Sequence, residues 1–342
     1  MHCFKTGMVV PMNLQNLRLI RQANGLSLSE MAALLSDNGY PITKATLSNY
    51  ETGKFIPEQS FYSAVAAELH VGEDFFREDV EYSTDIVFLS DLNLSDRRMQ
   101  ELEAFVAIEV GRSYAVDSLL GISRSWKFTE PVLIKDCDRD SIEDFIEDLR
   151  ISLELGQQPI SSVCGFLERN GWYLFSVPKV FTDHNLSGYI RDISVPFILF
   201  EPEVFQDELR ISLLRSYGRS MIKGESEEST EYLVDRFARA MLAPGKLLRY
   251  EYGEKRTNIT EAELSLGKQS FGLGKRYIMA RLHELGIVSS SAYTEYLNYL
   301  AQRRYLVGIG GIMDNSTFFD VPTSFEMRLA RAKAEGIKVP FL

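Results

Sequence analysis

The chain is poor in the residues that build covalent or metal-held frameworks: its 342 residues include three cysteines and four histidines. Cys3, Cys137 and Cys164 are odd in number, far apart and without Cys-x-x-Cys spacing, which excludes a disulfide framework and a cysteine zinc site. They read as small buried apolar residues. His283-Glu284-Leu285-Gly286 opens like the helix of a zinc hydrolase, but Ile287 stands where the second imidazole must be. His2, His70 and His184 have no compatible spacing, and His283 is expected to face solvent. Gly272-Leu-Gly274-Lys275 lacks the first glycine and the hydroxyl residue of a phosphate loop, and Gly308-Ile-Gly310-Gly311 lacks a helix signal behind it. No metal and no cofactor are expected.

Positive charge is scarce as well. The formal net charge is -11, which excludes indiscriminate nucleic-acid binding, because basic residues supply the phosphate contacts. Up to His70, however, Lys5, Arg18, Arg21, Lys44 and Lys54 balance Glu30, Asp37, Glu51, Glu58 and Glu68, so the N-terminal segment is neutral and the remainder holds the acidity. Such a segment binds DNA weakly unless it dimerises or meets a good site. Long apolar runs are missing: nothing approaches the roughly 20 residues that span a bilayer, and residues 1–10 lack the basic start of a signal peptide. A cytoplasmic protein without a membrane partner is the expectation.

What is present begins with a tightly punctuated helical segment. Leu14, Leu17, Ile20 and Arg21 share helical spacing that stops at Asn24-Gly25. Ser27-Leu-Ser-Glu30 matches a capping box ahead of Met31, Leu34 and Leu35. Asp37-Asn-Gly-Tyr-Pro41 breaks that helix, Thr43 caps a third from Lys44 to Glu51, and Gly53 closes it. Phe61, Val65, Ala66 and Leu69 mark a fourth helix, and Gly72-Glu-Asp-Phe-Phe76 a fifth short turn. An acidic connector follows, with one strand at Ile86-Val-Phe-Leu89 and a long helix capped at Leu94-Ser95-Asp96 that either packs inside the C-terminal domain or pairs with its mate in a dimer.

Further on, helices are expected at 141–155 and 162–169, strands at 172–177, 187–193 and 196–200, and helices again at 205–222, 229–242, 261–271 and 275–285. The β-branched and aromatic strands predict a small antiparallel sheet, and the order α, β, α is an α+β pattern. Beyond Val288 an aromatic-rich tail carries a basic helical piece at 328–338.

Leu17-Arg18-x-x-Arg21-x-x-x-Gly25-Leu26-Ser27-x-x-Glu30-x-Ala32 and Thr46-Leu47-Ser48-x-Tyr50-Glu51-x-Gly53-Lys54 closely resemble the Cro/repressor-like (XRE) helix-turn-helix family. The turn at Asp37-Asn-Gly-Tyr-Pro-Ile42 is longer than the family's minimal one, which leaves the tilt of the reading helix open. The resemblance implies that Thr43 and Lys54 touch phosphates, that Lys44, Ala45 and Asn49 face base edges with Thr46 beside them, and that Arg21 pairs with Glu51 beneath the reading helix. It also implies double-stranded DNA as partner, in the form of a palindromic operator bound by a homodimer.

A second resemblance covers residues 141–288. Leu149-Arg150, Leu155-Gly156-x-x-Pro159-Ile160, Leu167-Glu168-x-x-Gly171, Arg210-Ile-Ser-Leu213, Phe237-Ala238-x-x-Met241-Leu242-x-Pro244 and Arg281-Leu282-x-x-Leu285-Gly286 resemble the ImmA/IrrE-type metallopeptidase domain in order and spacing. On that pattern the histidine ligands fall at Arg215 and Arg219, the general base at Ser216, and the acidic ligand near Leu233, with Glu231 and Asp235 close by. Guanidiniums neither bind zinc nor accept water's proton. The resemblance thus implies a zincin-like domain that has lost its chemistry. Arg215 and Arg219 are either ordinary helix charges or the floor of a cleft for an anionic ligand or acidic peptide.

The expected fold is therefore multidomain: an all-α helix-turn-helix domain at 1–80, an acidic connector and long helix at 81–125, an α+β zincin-like pseudo-peptidase domain at 126–290, and a C-terminal extension at 291–342. The expected function is a dimeric DNA-binding repressor, not an enzyme, whose C-terminal domain senses a small-molecule or protein effector. Two alternatives stay open: a metallopeptidase with an unusual ligand set such as Glu231, Asp235 and His184, and an antitoxin or interaction module that autoregulates its operon.

Overall fold

A computed structural model describes residues 13–76, 82–90, 92–123, 126, 128–135, 141–177, 186–201, 206–307 and 320–339. Cys3, Cys137, His2, His184, Lys5 and the glycines at 308–311 lie outside them. The N-terminal segment forms α1 (Leu14–Ala23), α2 (Leu28–Asp37), α3 (Lys44–Glu51) and α4 (Gln59–Glu68), closed by a 3₁₀ turn at Glu73–Phe76. Local chemistry sets these boundaries. Ser27 and Glu30 complete a reciprocal capping box, and the Thr43 hydroxyl accepts from the Thr46 amide at 3.1 Å. Gly25 and Gly53 take the left-handed conformation that ends α1 and α3. Leu17, Met31, Leu35, Leu47, Phe61 and Val65 form the centre, and the Asn16 amide closes the far end by donating to the Phe75 carbonyl at 2.8 Å.

Next come β1 (Ile86–Phe88), α5 (Asp96–Leu119) and β2 (Val132–Leu133). α5 is no free connector. Leu102, Val106 and Val110 are buried against the sheet residues Tyr173, Leu186, Ile190, Phe197 and Leu199. On the same helix Ile108 and Val116 join the core that contains Leu17, Phe75 and Phe76. The packing expected against the C-terminal domain is present, and the burial of Ile108 and Val116 in the N-terminal core was not expected.

The remaining elements are α6 (Ser141–Ser152), α7 (Val163–Arg169), β3 (Tyr173–Ser176), β4 (Leu186–Ile190), β5 (Val195–Phe200), α8 (Gln206–Arg219), β6 (Ile222–Lys223), α9 (Glu227–Leu242), α10 (Gly245–Tyr252), α11 (Glu261–Phe271), α12 (Lys275–Glu284), α13 (Ser290–Val307) and α14 (Ser324–Ala334). The expected antiparallel sheet is a mixed one, ordered β1-β4-β5-β3. β4 pairs antiparallel with β1 and β5, but β3 runs parallel to β5 on its other edge. The tight turn at 191–194 makes β4 and β5 a hairpin, while the chain leaving β3 skips past β5 before entering β4. Sequence neighbours among strands are therefore not all neighbours in space. β5 is buried along its whole length, as a central strand covered on both faces should be. Gly188 is required where β4 crosses β5, because a Cβ there would lie 2.4 Å from the Val87 carbonyl oxygen and 2.6 Å from the Phe197 ring. β2 and β6 form a separate two-stranded parallel pair.

Three fully buried arginines organise the large C-terminal core. Arg150 donates to the carbonyls of Gly156 at 2.8 Å, Gln158 at 2.5 Å and Met241, and burial pushes its guanidinium down to about 10. Arg281 grips both oxygens of Glu143, at 2.6 and 2.5 Å. Arg210 donates to the Ile160 and Ser161 carbonyls and, at 3.0 Å, to the buried carboxylate of Asp320. That carboxylate also accepts from the Ser162 hydroxyl at 2.8 Å and from the amides of Val163 at 2.6 Å and Cys164 at 2.9 Å, so a residue from the C-terminal extension caps α7. The extension continues into α14, where Arg328 pairs with buried Asp117 of α5 at 2.8 Å and Ala332 enters the N-terminal core. Among the described residues no helix is long and apolar enough to cross a membrane.

Removing one partner of a buried ion pair leaves the other charge stranded. Asp320→Ala is expected to lower the stability of the full chain by about 3–5 kcal/mol in urea unfolding, and Asp320→Asn by less. A loss no greater than that of an exposed control such as Glu295→Ala would contradict this account.

Candidate nucleic-acid interface

The turn between α2 and α3 covers residues 38–43. Its extra length is tied down locally. The Ser36 hydroxyl donates to the Ala32 carbonyl at 2.8 Å and accepts from the Ile42 amide at 3.2 Å, while Tyr40 packs on Phe61 with ring centroids 5.8 Å apart. α3 is therefore held from three directions: the Thr43 cap at its start, fully buried Leu47 beneath it, and a clamp at its end. The clamp is the pair expected from sequence. Arg21 donates through Nε and Nη2 to the two Glu51 oxygens at 2.6 and 2.9 Å, and through Nη1 to the Leu26 carbonyl at 2.7 Å. A bidentate guanidinium fixes orientation as well as distance, so α3 is rigidly presented.

Thr43, Lys44 and Ala45 are exposed in the first turn of α3, Thr46 and Asn49 are half-buried, and Lys54 is exposed beyond its end. Thr43 and Thr46 share a hydroxyl contact at 2.9 Å. The side chains of Lys44, Asn49 and Lys54 have no partner among the described residues, which leaves an amine and an amide on the reading helix available. Sequence reasoning missed Phe55 and Ile56, which follow Lys54 and are 61% and 84% exposed. It also missed the first turn of α5, which lies beside α1 and α2: Arg97 donates to the Gly25 carbonyl at 2.9 Å and to Glu101 at 2.8 Å, and Gln22 meets Gln100 at 3.1 Å. The signal available was the Arg97-Arg98 doublet opening a helix in an otherwise acidic stretch.

Arg215 and Arg219 sit elsewhere, on the face of α8 that packs against α9. Arg215 reaches Glu231 and, at 3.1 Å, Asp235; Arg219 reaches Glu231 and, at 2.8 Å, Glu227. The expectation of a cationic cleft floor for an anionic ligand meets a different arrangement. Among the described residues, three carboxylates from α9 answer the two guanidiniums. Ser216 is buried. His283, expected to face solvent, is half-buried; it stacks on Tyr293 at 4.7 Å and its Nε2 lies 3.1 Å from the Ser290 hydroxyl. Cys164 is buried, as its small apolar character predicts.

With this geometry in place, comparison with known families finds that residues 17–76 match the family described as helix-turn-helix. The chain carries a helix-turn-helix domain of the XRE type there, and α1 to α4 with the 3₁₀ turn fill the matched span. No curated protein matches the chain.

Breaking the clamp should loosen the reading helix. Glu51→Gln is expected to destabilise the N-terminal core by roughly 2 kcal/mol, since a charged hydrogen-bond partner is lost. Arg21→Met combined with Glu51→Leu should recover part of that loss. Urea unfolding of the single and double variants checks both; additive losses would show that the two side chains do not act as a pair.

Proposed function

We propose that this chain is a sequence-specific DNA-binding transcription regulator, acting as a dimeric repressor on a palindromic operator. The observation that carries the reading is α3 itself: a short helix clamped by Arg21 and Glu51 that leaves Lys44, Ala45 and Asn49 without competing partners. Lys44 suits the O6 and N7 acceptors of guanine, Asn49 the N6 and N7 edge of adenine, and Ala45 a thymine methyl. Thr43, Thr46 and Lys54 bracket these residues and suit backbone phosphates, which set register without reading sequence. A neutral reading unit gains too little from phosphates to discriminate alone, which argues for two copies on two half-sites. The exposed apolar pair Phe55 and Ile56 supports a contact between copies.

The C-terminal region is read as a degenerate ImmA/IrrE-like peptidase domain that performs no hydrolysis and senses a small-molecule or protein effector. On this reading Arg215 and Arg219 stand in for the two imidazoles, and the reading is supported by their commitment to Glu231, Asp235 and Glu227 of α9. Glu231 and Asp235 are thereby also drawn away from any metal, which weighs against the metallopeptidase alternative. A sensing role is supported by α5, which is buried both against the sheet and in the core of the DNA-reading segment.

Lys44→Ala and Asn49→Ala should each weaken binding to a duplex selected from a random pool by the wild-type protein by about 1–3 kcal/mol, and should relax the base preference at one position. Fluorescence anisotropy on substituted duplexes measures this; an unchanged preference profile in both variants would refute the assignment of α3. Chelator treatment of the purified chain is expected to leave its melting temperature and DNA affinity unchanged, and a fall in either on zinc removal would restore the enzyme reading.

A further inference from the structure

The DNA-reading surface does not stop at the helix-turn-helix domain. A cleft of about 480 Å³ opens between α1, the start of α2, α3 and the first turn of α5. Arg18, Arg21, Lys44 and Arg97 line it against Glu51 and Glu101. In a chain whose net charge is -11, these four cations outnumber the two lining carboxylates and the nearby Glu30, which lies 3.6 Å from Arg97, and Lys44 of the reading helix forms part of the wall.

Arg97 is built for a specific task. Its Nε donates to the buried Glu101 at 2.8 Å and its Nη2 to the Gly25 carbonyl at 2.9 Å, with Glu30 at 3.6 Å. Those contacts hold the guanidinium at the entrance of α2, yet the side chain is 61% exposed and its Nη1 has no partner among the described residues. Glu101 is also gripped by Arg98 at 2.8 Å, and the Glu30 carboxylate already accepts from the Ser27 amide at 2.7 Å in the capping box. A guanidinium fixed on two edges and open on the third loses little side-chain freedom when it binds, and its planar fork matches a phosphate.

We propose that Arg97, which lies outside the helix-turn-helix domain, seats a backbone phosphate of bound DNA beside Lys44 and so makes α5 part of the protein–DNA interface. The inference rests on the DNA-reading function proposed above and extends its site to a helix whose next turns are buried against the C-terminal sheet. The partner is the phosphate backbone of duplex DNA. A free phosphate or nucleotide is the competing occupant, and the test separates the two.

The experiment is fluorescence anisotropy of the full chain on the selected duplex and on a scrambled one, in a series from 50 to 200 mM KCl. Arg97→Ala should weaken binding to both duplexes alike, and the slope of log affinity against log salt should become shallower by about one unit. The deficit relative to wild type should then shrink about threefold across that salt range. Arg97→Lys should restore the slope, and the neutral Arg97→Gln should reproduce the loss if the alanine variant folds poorly. Arg331→Ala, which removes an exposed arginine on α14, should change neither quantity. Wild-type affinity and slope in both Arg97→Ala and Arg97→Gln overturn the inference, including the case in which the cleft instead binds inorganic phosphate added as a competitor. If Lys44→Ala loses binding and the Arg97 variants do not, only this inference fails. A wild-type chain that binds neither duplex removes the DNA-reading function as well.

Discussion

α5 has to satisfy two hydrophobic cores at once, and the arrangement of the molecule follows from that constraint. Leu102, Val106 and Val110 belong to the sheet, whereas Ile108 and Val116 belong to the helical N-terminal core. A fully buried aliphatic side chain contributes on the order of 1.5–3 kcal/mol relative to solvent. Separating the helix from the sheet would expose three such residues and from the N-terminal core two, together with the side chains they cover, a loss that approaches the stability of a small domain. The DNA-reading segment is thus attached to the rest by shared burial, where a flexible linker would have left it free. Any ligand that favours one position of α5 over another would act on α1 and α3 through packing alone.

The second organising feature is where the buried charges are placed. Arg150, Arg210 and Arg281 lie at the points where loops must be pinned to helices, and each satisfies carbonyls or a carboxylate that would otherwise be buried without partners. Such groups are expensive to bury unless they are paired, so they specify one arrangement more than they add net stability. Asp320 extends the same logic across the chain. It brings the C-terminal extension back to cap α7, from where α14 reaches α5 and the N-terminal core. The carboxylate of Glu168 strengthens the return by accepting from the Ser324 amide at the start of α14, at 2.9 Å.

Much of the N-terminal half was legible in the sequence because its signals are local. A capping box at Ser27 and Glu30, a cap at Thr43 and left-handed glycines at 25 and 53 each act within one turn of helix, and the helices fall where these residues place them. The Arg21–Glu51 pair was legible only through the pattern that surrounds it. Less could be read where the determinants are long-range. The parallel pairing of β3 with β5 depends on a connection that skips a strand, and nothing in the alternation of Tyr173 to Ser176 encodes it. α10 lacks a side-chain cap, and its buried face consists of Leu248 and Tyr252, one turn apart within eight residues, too short a signal to mark a helix by itself. The role of Arg97 depends on two segments more than 70 residues apart in sequence meeting at Gly25, as the Arg97–Gly25 contact shows.

The α8–α9 contact can be understood from charge alone. A divalent ion held between two helices supplies two positive charges to the carboxylates around it and so bonds the helices together. Arg215 and Arg219 supply the same two charges from α8, and Glu227, Glu231 and Asp235 answer from α9. If α8 stands where a peptidase would carry its ligands, as proposed, exchanging imidazoles and metal for guanidiniums preserves the electrostatic bond between the helices while discarding the Lewis acid. The scaffold would then need no metal to stay closed. Selection on this half of the chain would fall on packing and on communication with α5, and a lost hydrolase would remain useful as a rigid body attached to a DNA-reading helix.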